Sequence, residues 1–208
     1  MTDRFPVQPG LDAMATVEAA MVTFLGVARE AAAAGAFELD ADSTTVFTAA
    51  QCQDEQHYYA LLAAGGIPLT DAFTITEQAV SDRTMMLVTM LELKAIGIAG
   101  YMALSRTWAR LGNLDQVETT YQMGVVEAQH LALSHALVGV TPANDRAFAR
   151  WLYVDAAEAA TSLAALGLIE GSGNAVSFPG PIDRLCRGIF GLTPVTTSQM
   201  TRPRPAAE

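Results

Sequence analysis

Two histidines in this chain follow a carboxylate at the same spacing. One set is Asp54-Glu55-Gln56-His57 and the other is Glu127-Ala128-Gln129-His130. Residues three apart in an α-helix share a face and lie about 5–6 Å from each other. Each pair can therefore offer one oxygen and one nitrogen donor to the same point. Two such pairs on facing helices are typical of centres in which carboxylates and imidazoles hold two metal ions.

Long helices are predicted around both pairs. Gly35, Gly65-Gly66, Gly112 and Gly139 stop successive helical stretches, as glycine commonly does just beyond a helix end. Ser43 is a candidate N-cap, and Thr141-Pro142 has the cap-then-proline pattern of a helix start. The sequence predicts helices over residues 12–34, 43–64, 81–112, 114–138 and 142–166, with one more short helix within 181–189.

The loop lengths indicate how these helices are connected. Short turns join the first helix to the second and the third to the fourth, which predicts two antiparallel hairpins, and the longer stretch 65–80 can cross between them. The predicted fold is all-α: a ferritin-like four-helix bundle with a fifth helix in residues 11–166, then a partly irregular C-terminal extension over 167–208. Residues 200–208 have the composition of a disordered end. Burial of Phe178, Ile189 and Phe190 would show that the extension docks.

The candidate ligands are expected at one level of the bundle. Counted from the two hairpin turns at about 1.5 Å per residue, six side chains fall within about two helical turns of each other. They are Glu18, Asp54, His57, Lys94, Glu127 and His130. Five of these are candidate metal ligands, and the exception is the lysine.

Three stretches resemble the bacterial ferritin-like domain family that includes plant desiccation-related proteins: residues 54–61, 95–101 and 127–130. The resemblance covers about residues 13–139. It implies a four-helix bundle with Glu-x-x-His on the second and fourth helices and further glutamates on the first and third. It also implies a possible stress-related role, but it indicates fold more firmly than function.

Lys94, the one lysine of the chain, departs from that family pattern. It stands seven residues before Tyr101, where the resemblance implies a glutamate, and Asp54 also replaces a glutamate. Helical phase places Lys94 on the inner face and Glu92 on the outer face; a phase error of one residue would instead expose the lysine. Asp54 and Glu127 are 73 positions apart, and the residue 73 positions before Lys94 is Met21. By this register, Met21 and Lys94 are corresponding positions on the first and third helices. We hypothesise that Lys94 is an internal counter-ion in a former metal position.

Three functions are compatible with these residues. The first is a non-catalytic protein, structural, stress-related or partner-binding, with a degenerate centre and no bound metal. The second is an active non-haem iron or manganese oxidase or oxygenase. The third is a small-molecule site in the bundle core, where Lys94 and Tyr101 would contact the ligand and Lys94 would act as an amine of depressed pKa. No catalytic residue is assigned, and His57 and His130 can also be hydrogen-bonding core residues.

Composition excludes some partners. The net charge is −10 with 16% charged residues, which offers no surface for nucleic acid. The apolar stretch 85–104 carries Glu92 and Lys94 at its centre, so a buried helix is preferred to a membrane span. The apolar composition also allows a homo-oligomer.

The N-terminal sequence has no signal-peptide pattern, which predicts a cytoplasmic protein unless a leader has been removed. Cys52 and Cys186 are expected to be two buried thiols.

Overall fold

The computed structural model describes residues 7–187. Within this range the chain forms seven helices and two short strands: α1 (Val7–Ala33), α2 (Ala41–Ala63), β1 (Ala72–Ile75), α3 (Glu77–Ser81), α4 (Arg83–Arg110), α5 (Leu114–Leu137), α6 (Glu158–Ala165), β2 (Asn174–Ser177) and α7 (Asp183–Cys186). Helices account for 66% of the structure and strands for 4%. The predicted all-α class is therefore confirmed.

The four long helices form the centre of the molecule. Helix α1 packs against α2 and α4, and α5 packs against α4 and α2, which closes a ring of four. Short turns connect α1 to α2 and α4 to α5, so each of these pairs is antiparallel. Their bounds agree with the predicted ones within a few residues, although α1 begins earlier, at Val7.

Helix α1 is the most buried of the four, because it also contacts α3, α6 and β1. Every residue from Ala13 to Leu25 is buried, and a helix that is apolar on all sides is stable only in such an enclosed position. Helices α1 and α4 are both long and apolar enough to cross a membrane. In this fold their apolar faces pack against other helices.

Two glycines on α4 allow it to approach α1 closely. A β-carbon on Gly100 would lie 2.1 Å from Met14 Sδ, and one on Gly97 would lie 2.8 Å from Met21 Cε. Neither position tolerates a larger residue unless a methionine moves. This close approach brings the inner faces of the two helices together at the level of the candidate ligands.

The capping prediction for α2 was wrong. Its N-cap is Asp40, whose side chain accepts a hydrogen bond from the Ser43 backbone N–H. Ser43 lies inside the first turn and is buried. Asp40 is the better acceptor because its carboxylate is charged and can satisfy an unpaired N–H at the positive end of the helix.

The predicted fifth helix is mostly absent. Only Glu158–Ala165 is helical, and the Thr141-Pro142 peptide bond is cis. The carboxylate of Glu158 accepts the backbone N–H groups of Val154 and Asp155. These bonds fix a turn immediately before α6, so the helix cannot extend backwards. Residues 143–150 instead lie irregularly across α4 and α5.

The C-terminal segment docks on the bundle through structure that the sequence did not predict. Strand β2 pairs antiparallel with β1, with Ala72 opposite Ser177. Phe178 is half-buried against Tyr58, with ring centroids 4.7 Å apart. Ile189, Phe190 and the predicted disordered end at 200–208 lie outside the described residues. The short helix predicted within 181–189 is present as α7.

Cys52 and Cys186 form a disulfide, which corrects the expectation of two free thiols. The bond joins α2 to α7. Beside it, Glu55 Oε1 accepts a hydrogen bond from the backbone N–H of Ile182, at 2.6 Å. The two cysteines are 134 residues apart, and only the docking of the C-terminal segment brings them together.

Candidate metal centre

Each of the four long helices contributes to one buried cluster of charged side chains. Helix α1 supplies Glu18, α2 supplies Asp54 and His57, α4 supplies Lys94 and Tyr101, and α5 supplies Glu127 and His130. The three carboxylates are fully buried, Lys94 is 1% exposed, and the imidazoles are 4% and 8% exposed. The structure thus brings together all seven residues predicted for the site. Glu92 is exposed, as its helical phase predicted.

Lys94 lies inside the cluster and not at its edge. Its Nζ donates to both carboxylate oxygens of Asp54, at 2.6 and 2.8 Å, and forms an ion pair with Glu127 Oε2 at 3.0 Å. It also lies 3.2 Å from Sδ of Met21, the residue 73 positions before it. Lys94 therefore bridges the two carboxylates of the carboxylate-x-x-His pairs.

The environment keeps Lys94 protonated. Burial lowers the pKa of its amine, but the charges of Asp54, Glu127 and Glu18 outweigh burial and raise the pKa above its usual value. The amine-nucleophile hypothesis requires a depressed pKa, and the direction found here is the opposite. A protonated ammonium held by two carboxylates is not a nucleophile.

The opposite side of the cluster is built around His57. Its Nδ1 lies 3.4 Å from Glu18 Oε1 and 3.3 Å from Glu127 Oε1. Burial lowers the pKa of the imidazole, but these two carboxylates dominate and raise it to about 10. Burial, with the charge of Glu127, raises the pKa of Glu18 to about 7.

Glu127 lies between the two imidazoles. His130 Nδ1 is 3.6 Å from Glu127 Oε1 and 3.4 Å from Asp54 Oδ1. Burial raises the pKa of Glu127, but Lys94 and both histidines outweigh it, so that the pKa is well below its usual value. Burial and Lys94 lower the pKa of His130, but Asp54 and Glu127 raise it overall.

Gln53 is a site residue that the sequence reasoning missed. Its Oε1 lies 2.6 Å from His130 Nε2. When Nε2–H donates to this amide oxygen, Nδ1 faces Asp54 and Glu127. Gln53 and His57 are four apart on α2, so helical spacing from the known motif would have placed Gln53 on the same face.

Tyr101 also belongs to the cluster. Its hydroxyl donates a short hydrogen bond to Glu18 Oε1, and its ring packs edge-on against His57. Burial and the charge of Glu18 raise the pKa of the phenol, which is therefore protonated. Tyr101 thus orients Glu18 and leaves the second oxygen, Oε2, without a hydrogen bond among the described residues.

Several buried side-chain atoms of the cluster have no contact with hydrogen-bond geometry within residues 7–187, although all of them except Glu18 Oε2 lie in the ion pairs described above. They are Glu18 Oε2, His57 Nδ1, both oxygens of Glu127, and His130 Nδ1. Buried polar atoms are nearly always satisfied, and such exceptions can indicate a bound ion. Four residues, Glu18, Asp54, His57 and Glu127, each place a ligand atom within 4.8 Å of the others. This buried acidic and histidine group could hold a metal ion.

The charges of the cluster balance in two ways. Three ionised carboxylates are neutralised by Lys94 together with two protonated imidazoles. They are equally neutralised by Lys94 together with one divalent cation, with both imidazoles neutral. Because an unbalanced charge in a buried site costs several kcal/mol, one divalent ion should replace two protons.

We compared the chain with protein-family models, characterised proteins and solved structures, and found no match in any of them.

Proposed function

We propose that this chain is a ferritin-like bundle protein whose ancestral two-metal centre now holds one divalent metal ion. The ammonium of Lys94 takes the place of the second ion. The observation that carries this proposal is the position of Lys94 Nζ, 2.6 Å from Asp54 and 3.0 Å from Glu127. The resemblance of residues 54–61, 95–101 and 127–130 to the ferritin-like domain family supports it.

The remaining donors suit iron or manganese. Glu18, Asp54, His57 and Glu127 offer three carboxylates and one imidazole, a mainly oxygen donor set of the kind that binds Mn²⁺ and Fe²⁺. Glu18 Oε2, which has no hydrogen-bond partner among residues 7–187, would gain a metal ion to coordinate, and so would His57 Nδ1 once it has lost its proton. Within the cluster, Lys94 lowers the net negative charge from three to two, which one divalent ion neutralises.

We infer that the main role is metal-stabilised structure or binding, not two-metal catalysis. A reaction that needs two adjacent ions has no second position while Lys94 bridges Asp54 and Glu127. A bound ion would supply Lewis-acid and one-electron chemistry. Single-metal oxidase or oxygenase activity is the second candidate, and the hydrogen bond from Tyr101 to Glu18 favours it, because it holds this phenol against a ligand carboxylate.

Metal stoichiometry tests the proposal directly. Protein stripped of metal and reloaded with Mn²⁺ or anaerobic Fe²⁺ should bind one ion per chain by elemental analysis, and His57→Ala should abolish binding. Lys94→Glu adds a carboxylate donor in place of the ammonium and should raise the stoichiometry to two.

Two variants serve as controls. Lys94→Met removes the ammonium without adding a donor and should stay at one ion, and Glu92→Gln changes an exposed carboxylate on the same helix and should behave as wild type. Wild-type protein that binds no metal would refute the single-ion centre. Two ions in wild-type protein would refute the role given to Lys94.

The disulfide bears on the cellular compartment. Disulfides such as Cys52–Cys186 persist in oxidising environments and are rare in the cytosol of most organisms. We therefore favour an exported protein over the cytoplasmic location expected from the N-terminal sequence. Thiol labelling of the protein taken directly from its native host would test this, and two free thiols would count against export.

A further inference from the structure

A cavity that is separate from the charged cluster lies on the outer side of α4 and α5. It has a volume of about 220 Å³ and is covered by residues 143–150. Its floor is apolar and consists of Ala95 and Ile98 from α4 with Ala128, Leu131 and Ala132 from α5. The covering residues lie in the stretch where the predicted fifth helix does not form.

The covering segment is attached to α5. His135 Nδ1 lies 3.1 Å from the carbonyl oxygen of Ala143, so the imidazole can hold the beginning of the segment. Further along, the Arg106 guanidinium lies 4.9 Å from the ring of Trp151. The segment is therefore anchored on both sides of the cavity, although the Phe148 side chain between these anchors is 89% exposed.

The mouth of the cavity carries positive charge, although the protein as a whole is acidic. Arg146 and Arg150 both line it, and neither guanidinium forms an ion pair among residues 7–187. His135, Asn144 and Asp145 complete the polar part of the lining, so with a neutral His135 the local charge is one positive unit. The chain as a whole carries a net charge of −10. These two arginines, which form no ion pair within residues 7–187, lie beside an apolar floor. Together they complement an anion that carries an alkyl chain.

We propose that this cavity binds a medium-chain monocarboxylate, with its alkyl chain on the α4–α5 floor and its carboxylate at Arg146 and Arg150. The volume is below the roughly 300–1,000 Å³ of drug-sized sites. If each methylene takes about the 30 Å³ of a water molecule, the space fits an alkyl chain of roughly seven carbons, which is that of octanoate. Guanidinium groups suit the head group because they can bind a carboxylate through two parallel hydrogen bonds. The proposal does not depend on the metal centre.

Calorimetric titration of the full chain with octanoate tests this site. Octanoate should bind at one molecule per chain, and octanol, which has the same chain length without the charge, should bind at least tenfold more weakly. Hexanoate, two methylenes shorter, should bind about 16-fold more weakly, because each buried methylene contributes about a factor of four.

Three variants separate the head-group and chain contacts. The double variant Arg146→Gln/Arg150→Gln should weaken octanoate binding at least tenfold, and Ala132→Phe, which fills the floor, should abolish it. Arg184→Gln changes an exposed arginine on α7 and should leave binding unchanged. Circular dichroism and melting temperature establish that each variant is folded.

Several results would overturn the proposal. They are the absence of saturable octanoate binding, equal affinity for octanol, and unchanged affinity in the arginine double variant. Binding to vesicles of phosphatidylglycerol should be measured as well, because a lipid surface also presents anionic head groups and alkyl chains. Association with these vesicles in the absence of octanoate binding would assign the basic mouth to a membrane surface and refute a site for the free acid.

Discussion

If one divalent ion replaces two protons in the charged cluster, metal affinity must depend steeply on pH. With a pKa of about 10, His57 is protonated at pH 7.5, and its Nδ1 must lose that proton to become a ligand. The pKa of His130 is also raised, and its charge is no longer needed once a cation is bound. Metal binding should therefore release between one and two protons.

The size of the effect follows from this proton count. Each proton released on binding changes the apparent dissociation constant tenfold per pH unit. From pH 7.5 to 8.5, where Glu18 with a pKa of about 7 is mostly ionised, the dissociation constant for Mn²⁺ should fall between about 10-fold and 100-fold. Calorimetry in two buffers with different heats of ionisation gives the proton count independently.

His130→Gln is the matched variant, because it removes one titrating imidazole and keeps the four donors Glu18, Asp54, His57 and Glu127. Its proton release should fall to about one, with a tenfold change in affinity per pH unit. A Mn²⁺ dissociation constant that changes less than threefold over this pH range, with no proton release, would refute the charge-balance reasoning.

Other expected results concern stability and support of the site. The pKa values of Glu18 and His57 are both raised, from 4.5 to about 7 and from 6.5 to about 10. The folded state therefore binds more protons than the unfolded state, and the melting temperature of metal-free protein should fall as pH rises from about 5 to 10; a rise would contradict the assignment. Lys94→Met leaves buried carboxylates unpaired and should cost about 3–5 kcal/mol in denaturant unfolding without metal; a loss under 1 kcal/mol would argue against the ion pairs. Cys52→Ser should cost roughly 2–5 kcal/mol and increase hydrogen exchange in β2, whereas unchanged exchange would show that the strand docks without the bond. Gln53→Leu leaves the buried His130 Nε2–H without its acceptor and should cost about 1–3 kcal/mol in denaturant unfolding, with unchanged stability as the contrary result.

Much of the helical framework could be predicted because its signals are local. The ends of α2, α4 and α5 lie within a few residues of the predicted ones, since glycines and capping residues act on the chain within one turn. The same helical phase placed Lys94 inside and Glu92 outside. One local prediction was nevertheless wrong. Ser43 and Asp40 are both possible N-caps of α2, and the structure has Asp40 in that position.

The predicted fifth helix shows the limit of local reasoning. A cap-then-proline pattern predicts a helix over residues 142–166, but only Glu158–Ala165 is helical. The backbone before α6 bonds to the Glu158 side chain, and His135 contacts Ala143 across the loop. These interactions outweigh a weak intrinsic preference, and residues 143–150 cover a cavity without forming a helix.

The sequence by itself determined which side chains carry charge, and helical periodicity determined that they share inner faces at one level. Only the tertiary structure decided that Lys94 bridges Asp54 and Glu127, that His57 lies between Glu18 and Glu127, and that Cys52 meets Cys186. The physical reason is the distance along the chain over which each kind of interaction acts. Periodicity and caps depend on neighbours within about four residues, whereas these contacts depend on how closely helices pack, and on α1 and α4 that distance is set by Gly97 and Gly100.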